Sequence, residues 1–366
     1  MQKKLIALAI AGFGLTGSAA FAQTNVTIYG LMDASVDIVD NGDPSVGAQG
    51  IRTNKISSNA SRFGLKGVED LGDGLKAIFQ IESGINADNN GGAAGTLNSR
   101  NTYLGLAGGW GSVKLGNIDT PYKTSTRSYD DFNDHLGDNR NLMGVGTIQF
   151  DRRASSSALY ESPEYSGFKF SAGYQAGAEG AVTNGQTKGS AWSLAATYSN
   201  GPWNGALAYE RHKLGNAAGT MFTAVPGNVD KQEHAAKIGV GYKVDAFHVG
   251  LVYEHTSDDL VVKMGHNAWT LGGGFMFGGN NEAKLAYTHA GDINGTSNTG
   301  AKQWAVGVDH ILSKRTKMYA EYVRLSNDNG AAYGLTGAGG GTTGGTVAKG
   351  AGADPSAFQF GVKHTF

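Results

Sequence analysis

Lys237-Ile238-Gly239-Val240-Gly241-Tyr242-Lys243-Val244-Asp245 alternates without a break. Side chains two apart in a β-strand share a face, so Ile238, Val240, Tyr242 and Val244 form an apolar side. Lys237, Gly239, Gly241, Lys243 and Asp245 form a polar or small one. The rhythm recurs in both directions. Val26, Ile28, Met32, Ala34, Val36 and Ile38 alternate with Thr27, Tyr29, Asp33, Ser35 and Asp37. Trp304, Val306 and Val308 alternate with Gln303 and Asp309, and Phe358, Phe360, Val362, His364 and Phe366 with Gln359, Gly361, Lys363 and Thr365.

Sixteen such runs are predicted, beginning near Asn25, Ser58, Leu75, Arg100, Ser112, Arg153, Phe168, Ser190, Trp203, His234, Phe247, Asn267, Glu282, Lys302, Thr316 and Ser356. Their connections alternate in length. Glu69–Gly74, Gly108–Gly111, Asn200–Pro202, Asp245-Ala246 and Ser313–Arg315 are short. Val39–Ser57, Asn86–Ser99, Asp119–Thr147, Leu214–Glu233 and Asn327–Pro355 are long. Short turns at one end and long loops at the other are what an up-and-down antiparallel barrel across a bilayer produces.

Composition agrees. The 366 residues include 58 Gly and only 6 Pro, and the Gly has no three-residue period, which excludes collagen. A balance of 30 basic to 31 acidic residues gives no reason to expect nucleic acid. With no Cys there is no disulfide scaffold, thiol catalysis or Cys-held zinc. The first 22 residues read as a secretory leader: basic Lys3 and Lys4, an apolar run from Leu5 to Leu15, then Ala20-Phe21-Ala22, with cleavage expected between Ala22 and Gln23. No later stretch is apolar for the length of a spanning helix.

In hydrocarbon every backbone amide and carbonyl must find a partner within the protein, and a closed sheet achieves that without edges. Periodicity alone does not say which face is inside, so a soluble β-sandwich or β-helix is the competing fold. The leader, the even strand count, the loop asymmetry and the aromatic strand ends favour a single all-β domain over residues 23–366, a sixteen-stranded transmembrane barrel. A barrel of about sixteen strands leaves an aqueous channel.

Three stretches resemble the general porins of Gram-negative bacteria, most closely the trimeric porins of β-proteobacteria. They are Ser61-Arg62-Phe63-Gly64-Leu65-Lys66-Gly67-Val68-Glu69-Asp70-Leu71-Gly72-Asp73-Gly74-Leu75-Lys76-Ala77, then Ser99-Arg100-Asn101-Thr102-Tyr103-Leu104-Gly105-Leu106 with Gly109-Trp110-Gly111-Ser112-Val113-Lys114-Leu115-Gly116, and the closing strand Phe358–Phe366. The resemblance implies a water-filled homotrimer in the outer membrane, among its lipid and lipopolysaccharide, that passes ions and small hydrophilic solutes by diffusion. It also implies that Phe366 is the signal read by outer-membrane assembly machinery. No cofactor or metal is implied.

The resemblance further implies that the third loop, about 119–147, folds into the barrel and narrows it. That segment holds Asp130, Asp131, Asp134 and Asp138, which composition alone reads as a solvated loop tip. By motif position Arg62, Arg100 and Arg153 form a basic wall opposite. Parity tests this. Arg62 shares a face with Gly64 and Lys66, and Arg153 with Ser155 and Ser157, so both point to the lumen. Arg100 shares a face with Thr102 but also with Leu104 and Leu106, an exception that would place its strand under the inward loop. Glu82, on the face of Gln80, adds an acid to this ladder. Wall arginines argue for anion preference and loop aspartates against it, which leaves selectivity open.

A barrel enzyme, a lipase or protease, is a rival class. The mature chain has no Gly-x-Ser-x-Gly elbow and no His-Glu-x-x-His zinc helix. His248 and His255 stand at odd spacing on one strand and face opposite sides. The glycine runs 272–274 and 339–341 lack the Lys-Ser/Thr of a phosphate loop. A substrate-specific channel or a surface adhesin remain as alternatives. The first would show an aromatic track, whereas the inward faces offer isolated cases such as Tyr29 and Tyr319. The second would need a rigid epitope, and the Gly- and Thr-rich segment 327–355 is a poor one. A general diffusion porin with a charged constriction is the expected function.

Overall fold

The computed structural model describes residues 25–43, 52–88, 99–177, 183, 185–217, 220, 222–224, 227–335 and 351–366. The expected leader and its Ala22–Gln23 cleavage point lie outside them. Seventeen strand segments form one antiparallel sheet: β1 (Asn25–Asp40), β2 (Arg52–Ser58), β3 (Arg62–Gly72), β4 (Leu75–Gly84), β5 (Thr102–Gly108), β6 (Gly111–Asp119), β7 (Arg153–Glu161), β8 (Phe168–Ala176), β9 (Ser190–Asn200), β10 (Trp203–Lys213), β11 (Gln232–Val244), β12 (Phe247–Asp258), β13 (Asn267–Phe277), β14 (Asn281–Ala290), β15 (Ala301–Ile311), β16 (Thr316–Asn327) and β17 (Ser356–Thr365). From β3 onward each pairs with its chain neighbour, and β1 pairs with β17, so the sheet closes.

Segments β2 and β3 are one stave, which makes sixteen. Both pair with β1, β2 along residues 34–40 and β3 along residues 25–31. The break at Asn59–Ser61 folds inward. Ala60 takes φ 53°, Asn59 Nδ2 donates to Ser35 Oγ and Tyr319 Oη at 2.9 Å, and Ser61 Oγ donates to the Asp33 carbonyl at 3.0 Å. The first loop is shorter than the expected Val39–Ser57, because Asp40 still pairs with Arg52. Beyond the hydrocarbon a strand needs no apolar face, so Arg52–Lys55 carries no alternation.

The alternating apolar residues face outward. Ile238, Leu104 and Phe360 are 47%, 66% and 47% exposed, while Lys237, Gln303 and Asp309 on the opposite faces are almost fully buried. This is the inverse of a soluble protein, because lipid takes the place of the core. Aromatic pairs mark both rims. Trp203 and Tyr242 meet edge to face at the short-turn end with ring centroids 4.7 Å apart, and Tyr287 and Trp304 meet at the loop end at 4.4 Å.

The apolar core lies inside the barrel, between its wall and the third loop. Tyr129, Phe132, Leu136, Leu142 and Met143 of that loop pack on Val252, Ala268, Ala286, Ala305 and Val323 of the wall. The loop runs from Thr120 to Arg152, longer than expected at its far end, and opens with a one-and-a-half-turn helix, α1 (Pro121–Thr126). The Thr120 hydroxyl caps α1 by accepting from Lys123 N–H, and proline stands in its first turn, where no hydrogen bond is lost.

Candidate pore constriction

The third loop lies against one half of the wall and is tied to strand after strand. Tyr122 N–H donates to Ser193 Oγ of β9 (2.9 Å), and Tyr122 Oη donates to Glu254 of β12 (2.6 Å). Tyr129 covers a bare stripe of wall: a Cβ on Gly239, Gly241 or Gly250 would lie 2.7–2.9 Å from its ring. Asp131 binds His248 of β12 and stands over Gly272, and the His248 ring lies where a Cβ on Gly274 would fall. At the loop's far end His135 sits between Glu321 of β16 (2.9 Å) and Asp33 of β1 (3.1 Å), with its ring stacked on Tyr319 at 4.3 Å.

The returning half is held the same way. Asn141 Nδ2 donates to Gln303 Oε1 (2.8 Å) and Gly144 N–H to Glu254 Oε1 (2.6 Å). Lys237 of β11 reaches Asp151 at 2.7 Å, and Arg152 reaches Glu210 of β10 at 3.1 Å. Ionic partners buried this deeply cost several kcal/mol to separate, because the charge left behind has no water to turn to.

The free half of the wall carries the predicted basic residues. Arg62 is on the lumen side, 3.9 Å from Glu82. Arg100 reaches Glu82 at 2.7 Å, and Tyr29 Oη donates to the same carboxylate at 2.9 Å. Glu82 is thus the common counterion of two arginines. Arg153 binds Asp119 at 3.2 Å and Asn101 at 2.8 Å. Lys66 lies over the Tyr29 ring. Lys114 pairs with Glu161 lower on the wall.

Two expectations do not hold. Strand β5 does not pack under the loop, for Leu104 and Leu106 face lipid. Arg100 precedes β5 in a bend at Ser99-Arg100, so parity does not carry to it. The β6–β7 pairing shifts register between Gly116 and Ile118 of β6, and Ser156 of β7 takes φ 49°. Arg153 joins the cluster through Asp119 and its electrostatic neighbours Arg100 and Glu82, while the clean alternation that linked it to Ser157 is broken.

The loop aspartates are not a solvated tip, and they do not face the wall arginines unopposed. Arg127 lies 3.7 Å from Asp130, 3.2 Å from Asp134 and 3.4 Å from Asp138. Arg140 binds Asp134 at 2.9 Å and Asp138 at 2.6 Å. Burial and the adjacent Asp138 charge push Asp130 above the usual carboxylate range. Burial also opposes ionisation of Asp138, but Arg140 and Arg127 outweigh it and hold that carboxyl down. Burial pulls His135 down, yet Glu321 and Asp33 raise it overall to about 9.

Lys123, Arg127 and Arg140 escape a sequence reading centred on the aspartates. Their signal is present: basic residues interleave with the acids from 123 to 140. His135, set between Asp33 and Glu321 more than a hundred residues away on either side, gives none. These side chains complete a circuit. Arg62 and Arg100 share Glu82, Arg100 neighbours Arg153, and Arg153 shares Asp119 with Lys123. Lys123 neighbours Arg140, Arg140 and Arg127 hold Asp134, and Asp134 and Arg62 both neighbour Lys363 of β17. Cations outnumber carboxylates around it.

The model of the Gram-negative porin family matches residues 6–330. Outer membrane porin protein 32 of Delftia acidovorans is 31% identical over 379 residues, covering all of both chains. An outer membrane porin of Bordetella pertussis is also 31% identical, over 87% of this chain and 93% of its own. The solved anion-selective porin from Comamonas acidovorans superposes with a TM-score of 0.77 at 28% identity, over 94% of this chain and 100% of that one. A closed sixteen-stave barrel with lipid on its apolar face, a polar lumen and this match over nearly its whole length leave one conclusion: the chain belongs to the Gram-negative porin family and is an outer-membrane channel for the diffusion of small solutes.

Proposed function

We propose that the circuit of charges running from Arg62, Arg100 and Arg153 through Glu82 and Asp119 to the third loop is the channel's constriction, and that it favours small anions. The observation that carries this reading is the pairing of the loop aspartates with Arg127 and Arg140. With Asp134 and Asp138 balanced by Arg127 and Arg140, Asp130 pushed toward its neutral form by burial and the Asp138 charge, and Asp131 occupied by His248, the excess charge at the narrowing is positive. A charged ring across a narrow aqueous gap sorts ions by sign. The Comamonas acidovorans porin on which the chain superposes is anion-selective, which agrees with this sign.

The working unit in this reading is a homotrimer. Phe366, which closes the sheet, is the terminal residue read by assembly machinery, and residues 1–22 are the leader removed on export. The test of the constriction is the reversal potential of single channels in a planar bilayer under a salt gradient. A potential of the sign set by anions, reduced when Arg62, Arg100 and Arg153 are changed together to Gln, supports the reading. A cation-selective wild-type channel overturns it. Conductance in steps of three marks the trimer.

A further inference from the structure

Tyr29 of β1, Gly64 of β3 and Glu82 of β4 form one row across three neighbouring staves, for Tyr29 is directly opposite Gly64 and Gly64 directly opposite Glu82. A side chain at the middle position would close this row. A Cβ on Gly64 would lie 2.4–2.7 Å from the Tyr29 ring and hydroxyl. Because Gly64 is bare, the ring lies across β3, and the Tyr29 hydroxyl donates to Glu82 Oε2 two strands away at 2.9 Å. Lys66, two residues along β3 on the same face, stands over the ring with Nζ 5.3 Å from its centroid. That cation–π contact helps to fix the ring in place.

The two arginines that flank Glu82 are not held alike. Arg100 Nε donates to Glu82 Oε1 at 2.7 Å, a charge-assisted hydrogen bond. Arg62 Nε stays 3.9 Å from Glu82 Oε2, too far for a hydrogen bond, and that oxygen is the one Tyr29 occupies. Among the described residues Arg62 makes one hydrogen bond, from Nη1 to the Ala60 carbonyl at 3.2 Å, although a guanidinium can donate five. Ala60, at φ 53°, is where the stave breaks inward, so the break itself supplies this anchor. The Arg62 side chain keeps 28% exposure, against 18% for Arg100 and 16% for Arg153. Arg153 is bound by both Asn101 and Asp119. Arg62 is the least engaged of the three wall arginines.

We infer that Tyr29 is a positioning residue for ion selectivity: by taking Glu82 Oε2 from the β3 side, it keeps the carboxylate from closing on Arg62 and leaves that guanidinium as the contact offered to a passing anion. The inference rests on the reading of the constriction as anion-favouring. Its physical basis is competition for one acceptor. A carboxylate and a guanidinium this close form a two-pronged pair when nothing else holds either group, and a closed pair turns the N–H donors away from the pore. Tyr29 holds the carboxylate and the Ala60 carbonyl holds the guanidinium. The phenol is neutral, so it satisfies Glu82 without occupying the cation. Only a long side chain that crosses a bare residue can do this from β1, which joins the roles of Tyr29 and Gly64.

The test measures the reversal potential of single channels in a salt gradient for the full-length protein and for Tyr29→Phe, each with Glu82 intact and in the Glu82→Gln background. Tyr29→Phe keeps the ring over Gly64 and removes only the hydroxyl. Heat-modifiable migration establishes that each variant is folded. The expected result is an anion-to-cation permeability ratio about twofold lower in Tyr29→Phe, the scale of one partly exposed ion pair. The same substitution in the Glu82→Gln background should change nothing, because no carboxylate is left to close on Arg62. A ring that only fills the wall would leave the ratio unmoved in both backgrounds. An unchanged ratio in Tyr29→Phe, or an equal fall in both backgrounds, overturns the inference and leaves the anion-favouring constriction standing. A cation-selective wild-type channel overturns the constriction reading, and this inference with it.

Discussion

Gly30 and Phe366 exchange both of their backbone hydrogen bonds, at 3.0 and 3.1 Å, and the Phe366 ring lies directly against the Gly30 α-carbon. This contact completes the seam between β1 and β17. A Cβ on Gly30 would fall within the space the ring occupies, so only glycine leaves room for it.

Gly30→Ala is therefore expected to expel the ring and strain the seam, at about 1–3 kcal/mol for overpacking of this kind. The temperature at which the folded band converts to the unfolded one on a gel should fall. An unchanged midpoint would show that the ring finds an equally good seat elsewhere.

Gly250→Val should narrow the pore. Its Cβ would meet both the ring and the Cβ of Tyr129, at 2.9 and 3.1 Å, and the wall behind is a hydrogen-bonded sheet that cannot retreat. The loop must move toward the lumen, so single-channel conductance should drop. Adding Tyr129→Ala should recover most of it, and a failure to recover would place the effect outside this contact.

His135 predicts a pH dependence of stability. Asp33 of β1 and Glu321 of β16 bind it, Tyr319 stacks on it, and Lys284, Asp309 and Lys363 stand behind those carboxylates. Its pKa is raised from 6.5 to about 9, so the folded state holds a proton that the unfolded chain releases. The stabilisation is complete below about pH 6.5 and is lost as pH rises through about 9, on the order of 3 kcal/mol in all. Thermal midpoints compared at pH 6 and pH 10 should differ less in His135→Asn than in the wild type. An equal fall in both would move the effect to another group.

Glu82→Gln should strengthen anion preference. Arg62 and Arg100 share this carboxylate, and its neutralisation leaves two cations facing the pore without a counterion. The reversal potential in a salt gradient should shift further in the anion direction. A shift toward cations would mean that the arginines collapse out of the lumen once released.

Much of the barrel was legible because its constraint is local and periodic. Ile238 to Val244 faces lipid as alternation required, and strand starts such as Asn25, Leu75, Arg153, Phe168, Ser190, Trp203, Phe247, Asn267, Thr316 and Ser356 coincide with observed first residues. The misplacements fall where that constraint lapses. Arg52–Lys55 is a stretch of strand beyond the hydrocarbon, where nothing demands an apolar face. Asn59–Ser61 interrupts a stave so that Asn59 can reach Ser35 and Tyr319, and the β6–β7 bulge breaks the parity that Arg153 was read by.

Sixteen staves and apolar side chains turned outward were legible in the sequence alone, because a period of two marks each strand and the leader, the even strand count and the alternation of short turns with long loops say that lipid, not a core, meets the apolar face. The sequence also marked Arg62, Arg100, Arg153 and Glu82 as charges that such a barrel can place only in its lumen or at its rims. What those charges face depends on contacts made only in the folded barrel. Asp134 and Asp138 are held by Arg127 and Arg140, and His135 joins Asp33 of the first strand to Glu321 of the last but one. Such pairings depend on where a loop lands inside a closed cylinder. Landing points are set by complementary charge and bare glycine surface contributed from strands far apart in the chain, which no local periodicity records.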